Sequence, residues 1–263
     1  MSCVRSDKCG HPPASLPPQI GLDAAGAAAL APHLGHLTAL TALNLRLNDI
    51  RDDGAASLAT TLIGLTQLAS LDLSWNEIGD QGAAALVPAL RCLSQLVHLN
   101  LMRNMVCATG TAALAPPLGH LTALTLLDLS SNSMETAGAQ ALAPALSCLL
   151  NLVEFSLSNN DIGDAGAAAL APSLLTKLTG LLLDVNSLRD AGLLHLVPSL
   201  ALLTALCDLQ FTCEYYAGRQ ANDFSDEVLP NCRDGVPDVV WAASDCCKKR
   251  LLEGSDSGSD ARG

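Results

Sequence analysis

Cysteine and histidine carry the most specific chemistry available to this chain, and their spacing decides whether it can be used. Cys3, Cys9 and His11 lie close together, but their gaps match no tetrahedral zinc pattern and no fourth ligand stands nearby. Cys92 and Cys148 occupy equivalent places two sequence repeats apart, too distant for a disulfide, and read as packing residues. His33, His36, His120 and His195 have no carboxylate or cysteine at a motif spacing and read as surface histidines. Cys246 and Cys247, followed by Lys248, Lys249 and Arg250, superficially resemble an acylated basic anchor, but no membrane helix or amphipathic segment adjoins them. The short patterns that mark phosphate loops, nucleophile elbows, zinc helices, redox dithiols and dinucleotide turns are all missing. The expectation is a protein with no catalytic residue, no metal and no cofactor, hence not an enzyme.

Composition narrows the partners. The formal charge of -12 opposes the counterion release that drives binding to phosphate backbones, which argues against nucleic acid and anionic membrane surfaces. The start of the chain has Arg5 and Lys8 but no apolar core of a signal peptide, and later apolar runs are broken every few residues. Ten cysteines without CxxC pairs, in a chain with no glycosylation sequon, read as reduced thiols in a cytoplasmic setting. With 49% hydrophobic but only 3% aromatic residues, the core must be built from Leu and Ala.

What positions the remaining polar residues is an internal repeat. Asn48, Asn76, Asn104, Asn132 and Asn160 recur every 28 residues, and Asn186 follows after 26. A frame of leucines precedes each, as in Leu68, Leu71 and Leu73, with Phe155 the one substitution among the six. Leu206, Leu209 and Phe211 suggest a degenerate seventh unit, where Glu214 replaces the asparagine. Inner leucines alternating with polar residues predict a half-buried strand, and the asparagine amides are placed to bond to turns above and below as a stacked ladder. Asp52, Asp80, Asp164 and Asp190, with Thr136, then recur where a side chain could cap the helix that follows each turn, whereas Ala108 breaks the pattern.

The glycines Gly54, Gly82, Gly110, Gly138, Gly166 and Gly192 allow close approach of adjacent layers, and prolines such as Pro88 and Pro144 predict short, kinked or interrupted helices. The predicted organisation is a disordered leader over 1–19, a repeat domain over 20–213 whose first unit is an N-terminal cap, a non-repeat cap or extension over 214–251, and a disordered tail over 252–263. Five of the seven aromatic residues, including Tyr215, Tyr216 and Trp241, fall after the regular array, where they are candidates to cover its open end.

The 28-residue unit, with its Asp-x-Gly-Ala helix segment, resembles the ribonuclease-inhibitor subtype of leucine-rich repeat, and is similar to the C-terminal repeats of NOD-like receptors and to Ran GTPase-activating proteins. That resemblance implies an α/β solenoid, a partial horseshoe with a parallel sheet on the concave side and helices on the convex side. It implies a protein-binding scaffold or sensor-like module; the alternative it carries is a regulator of a Ran-type small GTPase. The positions between the inward leucines then form the concave surface. Candidate contact residues there are Arg46, Asp72, Trp75, His98, Met102, Arg103, Asp128, Glu154 and Asp184. Trp75 suits an interface anchor, or it folds over a neighbour such as Leu47; the carboxylates would steer a basic or mixed-charge protein partner to the face.

Overall fold

A computed structural model describes residues 21–174 and 176–210, the side chain of Asp190 excepted. Within them a helix and a three-residue strand alternate: α1 Ala24–Leu34, β1 Ala42–Asn44, α2 Arg51–Leu62, β2 Ser70–Asp72, α3 Asp80–Cys92, β3 His98–Asn100, α4 Ala108–Leu118, β4 Leu126–Asp128, α5 Glu135–Leu146, β5 Glu154–Ser156, α6 Gly163–Leu170, β6 Gly180–Leu182, α7 Asp190–Leu200 and β7 Asp208–Gln210. The strands pair in chain order as one open parallel sheet, so the fold is the leucine-rich-repeat α/β solenoid expected from the sequence. Register is set by the leucine frame, since Leu43, Leu71, Leu99, Leu127, Phe155, Leu181 and Leu209 face each other in one row. All but Leu43 of that row are buried, and they join the helical leucines in one continuous core. A residue's worth of aliphatic burial, about 1.5–3 kcal/mol per side chain, thus recurs at every layer. At the N-terminal end the layer is less covered: Leu22, Leu30, Leu40 and Leu43 are partly buried and Leu37 is 50% exposed.

The prolines do not shorten most helices. Pro88 lies inside a 13-residue α3 and Pro144 inside a 12-residue α5. Each proline sits in the last turns on the exposed side, and the residues whose carbonyls it orphans, Ala84 and Gln140, are exposed as well, so water can satisfy them. Only the shortened repeat behaves as the sequence suggested: α6 ends at Leu170 and the chain continues as a 3-10 turn, Ala171–Ser173, around Pro172.

Helix capping also departs from the expected pattern. The aspartates cap the helix of the next repeat, not their own. Asp52 Oδ1 accepts from the amides of Gly79 (2.7 Å) and Gly82 (2.8 Å) at the start of α3. Asp80 does the same for Cys107 and Gly110 of α4, and Asp164 accepts from Arg189 ahead of α7. The reason is positional: Asp52 and Asp80 already lie within the first turns of their own helices, too late to bond that helix's first amides. The first helix, with no layer before it, is capped by its own Asp23 through Gly26. The glycines gain a sharper role from this, because a Cβ on Gly82 or Gly110 would stand 2.6 or 2.5 Å from the capping carboxylate.

Cys148 is exposed, which corrects its reading as a packing residue, while Cys92 is half-buried at the end of α3. Cys3, Cys9, His11, Phe211, Tyr215, Tyr216, Trp241 and the Cys246 to Arg250 run lie outside the described residues.

Candidate functional site

Each strand delivers two outward side chains, on either side of a core residue, and then a turn that aims a third. The second outward residue fixes that turn. The side-chain oxygens of Asn44, Asp72, Asn100 and Asp128 accept from the amides two residues on, those of Arg46, Ser74, Met102 and Ser130. Ser74 and Ser130 also donate their hydroxyls to the same aspartate oxygens. One oxygen of Asp72 and of Asp128 therefore serves the turn, while the carboxylates still place negative charge on the wet face.

The residue just before each asparagine is left-handed: Leu47, Trp75, Arg103, Ser131, Asn159 and Val185 have φ between 53° and 60°. Glycine would adopt this conformation without the roughly 1–2 kcal/mol that an L residue pays, yet none of the six is glycine. The conformation is held by bonds to the following repeat, such as Trp75 N–H to the Met102 carbonyl (2.9 Å) and Arg103 N–H to the Ser130 carbonyl (2.8 Å). It turns the chain so that this side chain stands at the rim of the sheet and the next one, asparagine, enters the core.

The asparagines bond in one direction. Asn104 Nδ2 donates to the carbonyls of Leu101 in its own turn and Leu73 in the preceding repeat, both at 3.0 Å. Its Oδ1 accepts from Asn76 and Ile78 of that same preceding repeat. Asn48, Asn76, Asn132, Asn160 and Asn186 likewise donate within their own turns, and from Asn76 onward each also reaches back to a carbonyl one repeat earlier. Among the described residues no side-chain amide of the ladder reaches forward to the next turn, in contrast to the two-sided ladder that the sequence suggested; only backbone amides of the ladder residues, those of Asn76 and Asn160, donate to the next asparagine.

At the rim, Arg103 lays its guanidinium over the Trp75 ring, 4.1 Å from the centroid. Trp75 is half-buried and Arg103 exposed, so the indole is covered by a cation from the next repeat. The indole Nε1 is shielded and has no hydrogen-bond partner among the described residues. Arg46 after β1 and His98 on β3 are exposed, and Met102, next to Arg103 in the turn after β3, is half-buried. Toward the other end Asp128, Glu154, Asp184 and Asp208 are half-buried on β4 to β7 and the turns that follow. The candidate positions read from the sequence thus fall on one side of the sheet and its rim, with Arg103 and Trp75 in direct contact.

Among the described residues no group of three or more histidines, cysteines or carboxylates could hold a metal ion. Cys107 is exposed at its surface, yet partial desolvation and then the Asp80 and Glu135 carboxylates push its thiol up, which keeps it protonated and a poor nucleophile near neutral pH. No helix among these residues is long and apolar enough to cross a membrane.

The Leucine Rich repeat family matches residues 36–59, 65–87, 120–143 and 149–171. Similar solved structures include an internalin from Listeria monocytogenes, 21% identical over 70% of this chain and 58% of that one, with a TM-score of 0.38. Another is the Arabidopsis receptor kinase HAESA ectodomain in complex with an extended IDA peptide hormone, 20% identical over 68% of this chain and 31% of that one, TM-score 0.41. A third is Leiomodin-1 actin-binding site 2, 13% identical over 89% of this chain and 96% of that one, TM-score 0.38. The chain therefore spans 58% and 31% of the first two relatives. No curated protein matches.

Proposed function

We propose that this leucine-rich-repeat protein is a non-catalytic interaction module, a cytoplasmic scaffold or sensor-like binder of the ribonuclease-inhibitor type, that holds a protein partner on the outward face of its sheet. The observation that carries this reading is the Trp75 and Arg103 pair: a half-buried indole under an exposed guanidinium, at rim positions where the backbone itself favours glycine. Side chains kept at a conformational cost point to a use other than folding, and Trp and Arg are the residues that dominate binding energy at protein interfaces. Asp72, Asp128, Glu154 and Asp184 give the face the charge that steers a basic or mixed-charge partner.

The test is affinity purification from native cytosol with the intact chain beside a Trp75→Ala, Arg103→Glu variant, both shown to be folded by circular dichroism. Recovery of a partner by the intact chain and its loss from the variant is the expected result. Equal recovery by both overturns the assignment to this face. Acceleration of GTP hydrolysis by a Ran-type GTPase, the activity that the alternative resemblance implies, would overturn the non-catalytic reading; against it, Arg103 is engaged over the Trp75 ring.

A further inference from the structure

Resting on that reading, we infer that the Trp75 and Arg103 pair is a carboxylate receptor: it takes an Asp or Glu side chain of a protein partner, with an apolar residue of the same segment against Met105. A cation with nothing to bind carries this. Arg103 is exposed, its Cζ lies 4.1 Å from the centre of the Trp75 ring, and among the described residues its guanidinium makes no hydrogen bond or ion pair. Stacking occupies a face of the guanidinium and leaves its edge, where the N–H donors form a planar fork. Arg51 supplies the contrast. It too is an exposed arginine with a left-handed backbone, but Glu77 accepts from its Nε at 3.1 Å. Glu77 lies between the two arginines in the chain and is thereby committed to Arg51.

The fork is held ready for use. The Trp75 and Arg103 amides donate to the carbonyls of Met102 and Ser130, so the following repeats fix the backbone under both side chains. The indole restrains the guanidinium itself, and less freedom is lost when a ligand arrives. A carboxylate accepts two parallel N–H bonds from such a fork, which a neutral amide with its one oxygen cannot do. Within the pair's own repeat, Asp72 is no substitute, because its Oδ1 already accepts the amide and hydroxyl of Ser74. A phosphate is the poorer fit, since it would bring nearly two negative charges against a chain of formal charge -12.

The apolar half of the receptor leaves the same turn. Met105 is 60% exposed and follows Arg103 on the other side of the inward Asn104. The Cα atoms of Arg103 and Met105 therefore stand within about 7 Å. An extended segment places alternate residues on one face at about that distance. The partner segment thus carries an acidic and an apolar residue at alternate positions.

Fluorescence anisotropy on the full chain tests this with labelled, end-blocked peptides in a Gly-Ser background. One carries Asp and Leu at alternate positions, a second has Asn in place of the Asp, and a third has Gly in place of the Leu. The first is expected to bind about tenfold tighter than either of the others. Arg103→Lys, which keeps the charge but not the fork, should cut the preference for Asp over Asn to about threefold or less. Arg103→Glu should instead favour a peptide with Lys in place of the Asp, a gain that an unfolded chain could not show. Met105→Ala should remove the preference for Leu over Gly and keep that for Asp over Asn. Equal binding of the Asp and Asn peptides, no binding of the Asp and Leu peptide, or a preference for Asp that Arg103→Lys and Arg103→Glu leave unchanged overturns the carboxylate receptor. A preference for Leu indifferent to Met105→Ala overturns its apolar half. The purification decides separately whether the pair binds a partner, so a partner lost with Trp75 and Arg103, beside peptides that bind equally, sinks this inference alone.

Discussion

The junctions leading into α3, α4 and α7 and those leading into α2, α5 and α6 solve one problem, the placement of the last amide before the helix, in two ways. In the first group the preceding repeat supplies Asp52, Asp80 or Asp164, and the amide of Gly79, Cys107 or Arg189 donates to it from an extended backbone. In the second group the equivalent upstream residues are Ala24, Ala108 and Thr136, which offer no carboxylate. There the chain swings into the left-handed region at Arg51 (φ 56°), Glu135 (φ 57°) and Gly163 (φ 62°). The freed amides bond instead to the backbone carbonyls of Asn76, Asn160 and Asn186 in the following repeat, each at 2.9 Å. One residue a full repeat away thus selects the local backbone conformation. The lesson is that an unsatisfied amide is intolerable at a layer boundary, and the chain bends until some acceptor is found.

The sharpest way to break this comparison is to crowd the two kinds of junction equally. Gly110→Ala forces a Cβ to 2.5 Å from the Asp80 carboxylate and 2.9 Å from Val106 Cγ1, whereas at Gly166 the nearest atoms stand at 3.1 Å. Urea unfolding should show Gly110→Ala destabilised by about 2–3 kcal/mol and Gly166→Ala changed by less than about 1 kcal/mol, the helix preference for Ala offsetting its crowding. Equal losses would mean that the carboxylate does not set the packing. A smaller effect comes from moving the cap itself. Asp80→Ala should cost about 1–2 kcal/mol and speed hydrogen exchange at the Cys107 and Gly110 amides, while Ala108→Asp should stabilise by up to about 1 kcal/mol and turn Glu135 to the extended form. An Ala108→Asp chain in which Glu135 remains left-handed would show that the upstream residue does not choose. The smallest effect is expected where the two kinds meet. The exposed Cys107 is flanked by Asp80 and Glu135, which with partial desolvation raise its thiol pKa, so Glu135→Gln should shift the pKa downward and modestly accelerate alkylation near pH 8. An unchanged rate would assign the protection to burial and Asp80 alone.

The layer plan was legible because it is written six times over: leucines such as Leu71, Leu99 and Leu127 recur in register and their burial follows from alternation. The direction of capping was not, because Asp52 stands 27 residues from Gly79 and a sequence shows an aspartate near a helix start without saying which helix it serves. A clue was present, since each aspartate falls after the position a self-cap must occupy. Pro88 and Pro144 misled because the cost of a helical proline depends on whether the freed carbonyl meets water, which only the packed structure shows. At the candidate site, the sequence singled out Trp75 and Arg103 separately. Their contact was readable in principle, as both hold the same place in consecutive repeats, but whether the ring would be covered by Leu47 or by Arg103 depended on side-chain direction at a left-handed turn.

The backward reach of the asparagines bears on how the chain is made. When Asn104 leaves the ribosome, the groups it bonds in the layer before it, Leu73, Asn76 and Ile78, have already been synthesised. The same holds for α3, whose cap Asp52 is waiting before the helix forms. The asparagine and aspartate side-chain bonds of each layer can therefore form on arrival against a finished template, while its turn amides, such as those of Trp75 and Arg103, wait for the carbonyls of the next repeat. Assembly can thus follow translation from the amino end with one layer left open at a time.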